Sequence, residues 1–429
     1  MKVKAIEVHD FKGIHSLKIP FDGKSTIIFG INGVGKSTIL RAIDLIYANI
    51  ISMLVSSKKK LAQLEYDDIS YGKSCARIDA VFEFSDGNLK VYSRSISRSV
   101  GRRHNLDELK ELVGLFEECY VEKGFDDGNG NWIENEDLKN MPVFVNYGVN
   151  RSVFDVPLRA SKNARFTKFS AFDKAIESKI DFRTLFMWFR NQEDIENQEK
   201  VRKTVAYEDR NLSAVKKAML AMLDEFDDIH IDRKPLAMKV KKEGRYLKIN
   251  QLSDGEKCTI ALFGDLARRL ALANPQLANP LEGQGVVLID ELDLHMHTLW
   301  QRKVMRVLKK TFPNIQFIIT THSPQILGEL DDACNLFYML REDGEVKLQK
   351  YKSFIGWDAN VILEEVMKTS SVNIEVKQLV DQMYEYISNK KYAQAEEIAD
   401  RLDEISNGYV EGVAKARVLI SRGKRNEKN

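Results

Sequence analysis

The stretch "GINGVGKST" (30–38) decides how the rest of the chain is read. It fits the spacing G-x-x-x-x-G-K-[ST] at Gly30, Gly35, Lys36 and Ser37. It follows "STIIF" (25–29), which reads as a short buried strand, and it opens an apolar helical segment from about Lys36 to Leu54. Strand, glycine-rich loop and helix in that order are the context that makes this spacing a phosphate-binding loop. Glycines let backbone N–H groups curl around phosphate oxygens, and the helix N-terminus adds a favourable dipole. In such a loop Asn32, Gly33, Gly35 and Thr38 cradle the phosphates, Lys36 neutralises β- and γ-phosphate charge, and Ser37 ligates Mg²⁺.

A phosphate loop needs a second, acidic strand, and "GVVLIDE" (285–291) supplies it. Four apolar residues make a buried parallel-type strand that ends in Asp290 and Glu291. Ligands in open α/β sheets sit at the carboxyl ends of strands, where these two acids emerge. Asp290 would hold the Mg²⁺ water shell, and Glu291 would orient and deprotonate the attacking water. A further apolar strand in "FIITTHSP" (317–324) ends in Thr321, His322 and Ser323, and the order of motifs makes His322 a candidate γ-phosphate sensor.

In "LSDGEK" (252–257), Ser253 reads as the N-cap of the helical run "DGEKCTIALFGDLARRLAL". A capped helix N-terminus is also an anion site. The stretch "LIDELDLHMH" (288–297) invites a metal reading, with Asp290, Glu291, Asp293, His295 and His297 close together. If the two histidines begin the next helix, they lie about 200° apart around its axis and cannot share one ion.

In this order, "GINGVGKST", "LSDGEK", "VVLIDE", "LDLHMH" and "TTHSP" resemble the ABC-type ATPase heads of the SMC/RecF/OLD-like group. The opening "FKGI" (11–14) is similar to that group's start. The resemblance implies an α/β ABC-ATPase head, a mixed β-sheet with a P-loop core, that takes ATP and Mg²⁺. In that group the signature helix of one protomer caps the γ-phosphate held by another, so two ATPs are sandwiched in a head-to-tail dimer. Carried over here, Ser253, Gly255 and Glu256 would contact ATP in trans, Asp293 would lie at the dimer seam, and His322 would be the switch histidine. The group's Q-loop glutamine has only a weak counterpart, Gln63.

The segments "FRTLFMWFRNQEDIENQEK" (182–200) and "GWDANVILEEVMKTSS" (356–371) look like the ATPase subunits of Septu-type bacterial anti-phage systems. That likeness implies a separate HNH-type nuclease partner, gated by nucleotide state. The 107 residues after His322 (429 minus 322) contain no D-x-D pair, and His322 is the last histidine. Metal-bearing nuclease residues are therefore expected in a partner. A RecF-like DNA-binding repair ATPase is the alternative, with DNA contact through Arg94, Arg98, Arg102 and Arg103 or the basic run "RASKNARFTK" (159–168).

The expected organisation is four parts. Residues 1–151 are the first half of the head, and 152–228 a compact helical lid without the sustained heptads of a long coiled coil. Residues 229–350 are the second half, and 351–429 an amphipathic helical region for a partner. Hairpins are read around Lys12-Gly13, Asp86-Gly87 and Glu243-Gly244. "DDGNGNW" (126–132) reads as a loop, since it lacks the spacing of a calcium site.

The 65 basic and 63 acidic side chains leave a net charge of +2, so no global field draws nucleic acid or membrane. Cys75, Cys119, Cys258 and Cys334 are far apart and read as reduced thiols. The N-terminus lacks the apolar core of a signal peptide, and no apolar run reaches membrane length. The expectation is a cytoplasmic protein without a membrane anchor.

Overall fold

The structure is a computed structural model, and it describes residues 1–55, 62–85, 87–104, 106–121, 125–126, 132–133, 139–151, 166–370, 373–410 and 412–426. It divides the chain into two compact units, Met1–Trp357 and Asp358–Asn429.

The first unit opens with the hairpin of β1 (Lys2–Phe11) and β2 (Ile14–Pro20), followed by β3 (Thr26–Phe29) and helix α1 (Lys36–Val55). Strands β4 (Cys75–Glu83), β5 (Leu89–Ser97) and β6 (Gly101–His104) precede α2 (Leu106–Tyr120). Two short strands, β7 (Phe125–Asp126) and β8 (Trp132–Ile133), pair with each other. The loop expected at 126–132 thus has a small ladder at its ends, and residues 127–131 lie outside the described residues. Then come β9 (Val143–Tyr147), α3 (Phe182–Arg202), α4 (Arg210–Leu220), β10 (Phe226–Arg233), β11 (Leu236–Lys242) and β12 (Arg245–Lys248). The unit closes with α5 (Asp254–Ala273), β13 (Gly285–Ile289), α6 (Thr298–Thr311), β14 (Ile315–Thr321), α7 (Pro324–Leu327), β15 (Asn335–Glu342) and β16 (Glu345–Tyr351).

The central sheet runs β16-β15-β3-β14-β13-β9. Its neighbours are parallel except for the β15–β16 hairpin at one edge. Strands β3, β9, β13 and β14 are buried at every position. Parallel strands covered on both faces are buried throughout and rich in apolar residues, and the polar exceptions here, such as Gln316, are hydrogen-bonded. The second sheet, β2-β1-β4-β5-β6, is antiparallel, and β4 and β5 alternate buried and open positions as one-sided sheets do. Helix α1 touches β14 of one sheet and β4 of the other.

Register positions the site. Phe29 pairs with Thr321, and Ile289 with Ile319, so β3, β13 and β14 end at one edge of the sheet. The phosphate loop, Asp290-Glu291 and Thr321-His322 all leave the sheet there.

Several expectations change. The strand β9 and the β15–β16 hairpin are additions to the elements expected from the sequence. The stretch expected to be a helical lid (152–228) gives way to β10 at Phe226, and residues 152–165 lie outside the described residues. Residues 351–357 belong to the head: the Phe354 ring meets Phe29 edge-on at 5.6 Å, and Trp357 meets Phe354 at 5.4 Å. One described helix, α1, is long and apolar enough to cross a membrane, against the expectation of none. It is buried along most of its length, as a core helix is.

In the second unit, α8 (Ala359–Val361) leads into a π-helical turn, and α9 (Ile374–Ser388), α10 (Tyr392–Ser406) and α11 (Val413–Asn426) follow. These three helices pack around Met383, Ala395, Ala399, Leu402, Ala416 and Ile420. Asn407, in the left-handed region at φ 52, ends α10.

Candidate nucleotide site

The phosphate loop begins where β3 must turn away from its neighbour. A Cβ on Gly30 would stand 2.2 Å from the Met339 carbonyl oxygen of β15, so only glycine fits. Beyond it, Asn32, Gly33 and Ser37 are exposed, while Lys36 is only 6% exposed. The Lys36 ammonium donates to the carbonyls of Gly30 (3.0 Å) and Ile31 (2.9 Å). Burial pulls its pKa down to about 8, against the carboxylates of Glu291, Asp290 and Asp293. At neutral pH the group is still a cation, held by neutral carbonyls that a phosphate oxygen would outcompete.

The acids meet this loop across 253 positions of sequence. Ser37 Oγ donates to Asp290 Oδ1 at 3.1 Å, and Thr320 Oγ1 donates to the same oxygen at 2.5 Å. Thr320 Oγ1 in turn accepts the Glu291 N–H at 2.8 Å. Glu291 has φ 48, so the chain bends off the end of β13 at this residue. A serine hydroxyl beside a carboxylate oxygen is the hard donor set that Mg²⁺ takes together with phosphate and water oxygens. These residues fit that ion.

A cleft of about 250 Å³ adjoins Ser37 and Asp290 and is lined by Asn146, Asn150, Glu177 and Lys179 among others. Gln63 is exposed and is not part of that lining, where the amides are Asn146 and Asn150.

Asp293 is tied to its own chain. Its Oδ1 accepts from Thr321 Oγ1 at 2.6 Å and from the His322 N–H at 3.3 Å. His322 is half-buried, and burial together with the Lys36 ammonium lowers its pKa, so the imidazole is neutral at neutral pH. His295 and His297 do not begin a helix, which corrects the premise on which they were set apart. Helix α6 starts at Thr298, and His297 caps it by accepting the Leu299 N–H at 3.3 Å. His295 sits in the preceding turn at φ 64.

The signature end of α5 is organised locally. Ser253 Oγ caps the Glu256 N–H at 3.3 Å, and Glu256 Oε2 accepts from the Ser253 N–H and hydroxyl, both at 2.8 Å. The other Glu256 oxygen accepts from Lys242 at 2.7 Å. Burial works to raise the Glu256 pKa, but Lys242 and Ser253 bring it below the usual carboxylate value. Glu256, carried over as a nucleotide contact, thus has both oxygens committed to the cap and to Lys242. A Cβ on Gly255 would stand 2.4 Å from the His295 carbonyl oxygen, so α5 abuts that turn of the same chain. Ser253 is exposed. Among the described residues, no hydrogen bond or ion pair joins 252–257 to 30–38.

The expected DNA contact loses its first residue. Arg94 is 1% exposed, and its guanidinium donates to the Leu45 carbonyl at 2.8 Å and to the Ala62 carbonyl. Its place on the inward face of β5 makes it a core residue. Arg98 is exposed and donates to the Lys73 carbonyl at 3.2 Å. The side chains of Arg102 and Arg103, and the basic run at 159–165, lie outside the described residues.

Sequence reasoning misses Thr320, although its motif is conspicuous, and Arg151. The signal for the neighbourhood of Arg151 is "PVFVNYG" (142–148), a five-residue apolar-rich run between proline and glycine that is β9.

A model of the family described as "AAA ATPase domain" matches residues 1–327. The "Retron Ec83 probable ATPase" of Escherichia coli is 29% identical over 92% of this chain and 81% of its own length. The "Retron Vc95 probable ATPase" of Vibrio cholerae serotype O1 biovar El Tor is 31% identical over 76% of this chain and 71% of its own. The "Septu protein PtuA" of Bacillus mycoides (strain KBAB4) is 26% identical over 94% of this chain and 50% of its own length.

Proposed function

The chain belongs to the AAA ATPase domain family, and on that premise we propose that it is the ATP-driven switch subunit of a bacterial anti-phage defence complex. Two copies hold two ATPs head to tail. The phosphate loop, Asp290 and Glu291 of one copy face Ser253 and Gly255 of the other. The observation that carries this reading is the asymmetry of the site. Ser37 and Asp290 meet at 3.1 Å within one chain, while the exposed Ser253 cap has no bond to the phosphate loop among the described residues.

Each residue then has a job. Lys36 exchanges its loop carbonyls for phosphate oxygens, and Ser37 and Asp290 hold Mg²⁺, which neutralises phosphate charge when bound. Glu291 takes a proton from water as the water oxygen attacks the γ-phosphorus and the bond to the ADP oxygen breaks. His322, neutral at working pH, donates to a γ-phosphate oxygen. The expected partner is a separate HNH-type nuclease, whose cutting follows the nucleotide state of the dimer. A retron setting is a second reading, favoured by the higher identity of the two retron relatives (29% and 31%) than of PtuA (26%). The RecF-like alternative is weakened by the burial of Arg94.

The test is the Glu291→Gln variant at saturating ATP. The expected result is a dimer by light scattering that reverts on exchange to ADP; a monomer would overturn the sandwich. Co-expression with the neighbouring reading frames separates the two settings, since only an HNH protein that co-purifies fits the first.

A further inference from the structure

We propose that Arg151 is a positioning residue for hydrolysis: it fixes the turn that carries Glu291, the water-activating carboxylate. The inference rests on the hydrolytic reading above. Arg151 is 4% exposed, and its Nη2 donates to the Asp290 carbonyl at 3.0 Å and to the Glu291 carbonyl. One buried nitrogen thus grips two successive carbonyls of the turn.

Glu291 needs such a grip. A non-glycine residue in the left-handed region is strained, because Cβ crowds the following carbonyl oxygen. It persists where surrounding contacts over-determine it. Here the Glu291 N–H is held by Thr320 Oγ1 at 2.8 Å, and the Asp290 N–H by the Tyr147 carbonyl at 2.8 Å. Arg151 holds the two carbonyls, so the turn is bonded on both its donor and acceptor sides.

The segment that presents Arg151 is itself anchored. The Asn146 N–H donates to the Ala175 carbonyl at 2.8 Å, and the Gly148 N–H to the Ser178 carbonyl at 3.0 Å. Tyr147 donates its hydroxyl proton to Asp265 Oδ2 of α5 at 2.9 Å. Asp265 is fully buried; burial alone would raise its pKa, but the guanidiniums of Arg269 and Arg268 bring it down to about 2. Fixed contacts therefore run from α5, whose N-cap is Ser253, through Tyr147 to the Asp290 N–H, and Arg151, four residues on, grips the carbonyls of the same turn. Lysine would replace the arginine only in part, since its ammonium can still donate to the carbonyls but sits on a flexible stem rather than in a rigid planar group.

The test uses the full chain with Arg151→Ala and Arg151→Lys, each also in the Glu291→Gln background. Measured are the affinity for a fluorescent ATP analogue, kcat, KM and thermal melting. Loss of positioning alone predicts that Arg151→Ala lowers kcat about 100-fold while affinity and KM stay within about threefold, and that Arg151→Lys regains about tenfold. In the Glu291→Gln background the same change should cost less than about threefold, because the group being positioned is already gone. Arg151→Ala with kcat within about threefold of the parent, or with affinity and kcat falling together, overturns the inference. If Arg151→Ala does not fold, Arg151→Lys must show the same split between kcat and KM, and its absence overturns the inference. An unmodified chain without ATP turnover fails both this inference and the hydrolytic reading. Turnover that is indifferent to Arg151 fails this inference alone.

Discussion

The two halves of the proposed nucleotide site are built in opposite ways. The phosphate half joins residues far apart in sequence: Ser37 to Asp290, Asp290 to Thr320, Arg151 to Glu291. The signature half is finished within one helical turn, by Ser253 and Glu256, with an outside brace from Lys242. The first depends on the order of strands in a sheet, the second on three-residue spacing at a helix end. A half that is complete by itself yet exposed suits presentation to a second copy, whereas a half held by many tertiary bonds suits chemistry that tolerates little movement.

The largest effect should come from the phosphate half. Glu291→Gln is expected to lower turnover about 1,000-fold with ATP affinity nearly unchanged, as loss of a general base does; a loss below about tenfold in single-turnover kinetics would remove Glu291 from that role.

Next is the signature half. Ser253→Arg should cost about 100-fold in turnover while leaving ATP affinity within about twofold, since its proposed target is another copy's phosphate. The sharper form mixes it with Lys36→Ala. Each variant alone should turn over slowly or not at all, and the mixture should regain turnover only if the halves meet in trans, because the heterodimer then contains one intact site. No recovery from mixed, dimeric protein would break the comparison.

A smaller effect is set by Lys36. Its pKa is about 8 in the free protein, and bound phosphate raises it, so binding above pH 8 takes up a proton. ATP affinity should be flat on this account below pH 8 and fall about tenfold by pH 9, with proton uptake seen by calorimetry in two buffers. For the protein alone the sign is opposite. The depressed value means that stability is present above the unfolded pKa near 10.5 and is lost as pH falls through 8. Flat affinity from pH 7 to 9 would show that Lys36 is not the phosphate's partner.

The smallest effect tests the cap. Glu256→Ala should cost about 1 kcal/mol of stability, read as a lowered melting midpoint, and little in ATP affinity. A large loss of affinity would restore Glu256 to the nucleotide.

Much of the site is legible in the amino-acid sequence. Gly30, Lys36 and Ser37 announce a phosphate loop because a loop between a strand and a helix is written in adjacent residues, and its spacing is chemical. Ser253 announces a cap for the same reason. Arg94 passes for a surface charge because a period of two tells that β5 alternates, not which face meets α1. His295 and His297 are easily misplaced because their turn ends one residue before the helix begins.

The elements and the chemistry they carry are written in the residues alone: the phosphate loop, the acidic strand end, the capped signature helix and the histidine after β14. Each is a local pattern, and local patterns are set by backbone geometry over a few residues. Which of them share a site is a matter of tertiary structure. Ser37 reaches Asp290 because β3, β14 and β13 lie side by side and end together. Arg151 reaches the Glu291 turn because β9 pairs beside β13. Sheet order follows from how the whole chain buries its apolar strands at once, and no short window of residues contains that information.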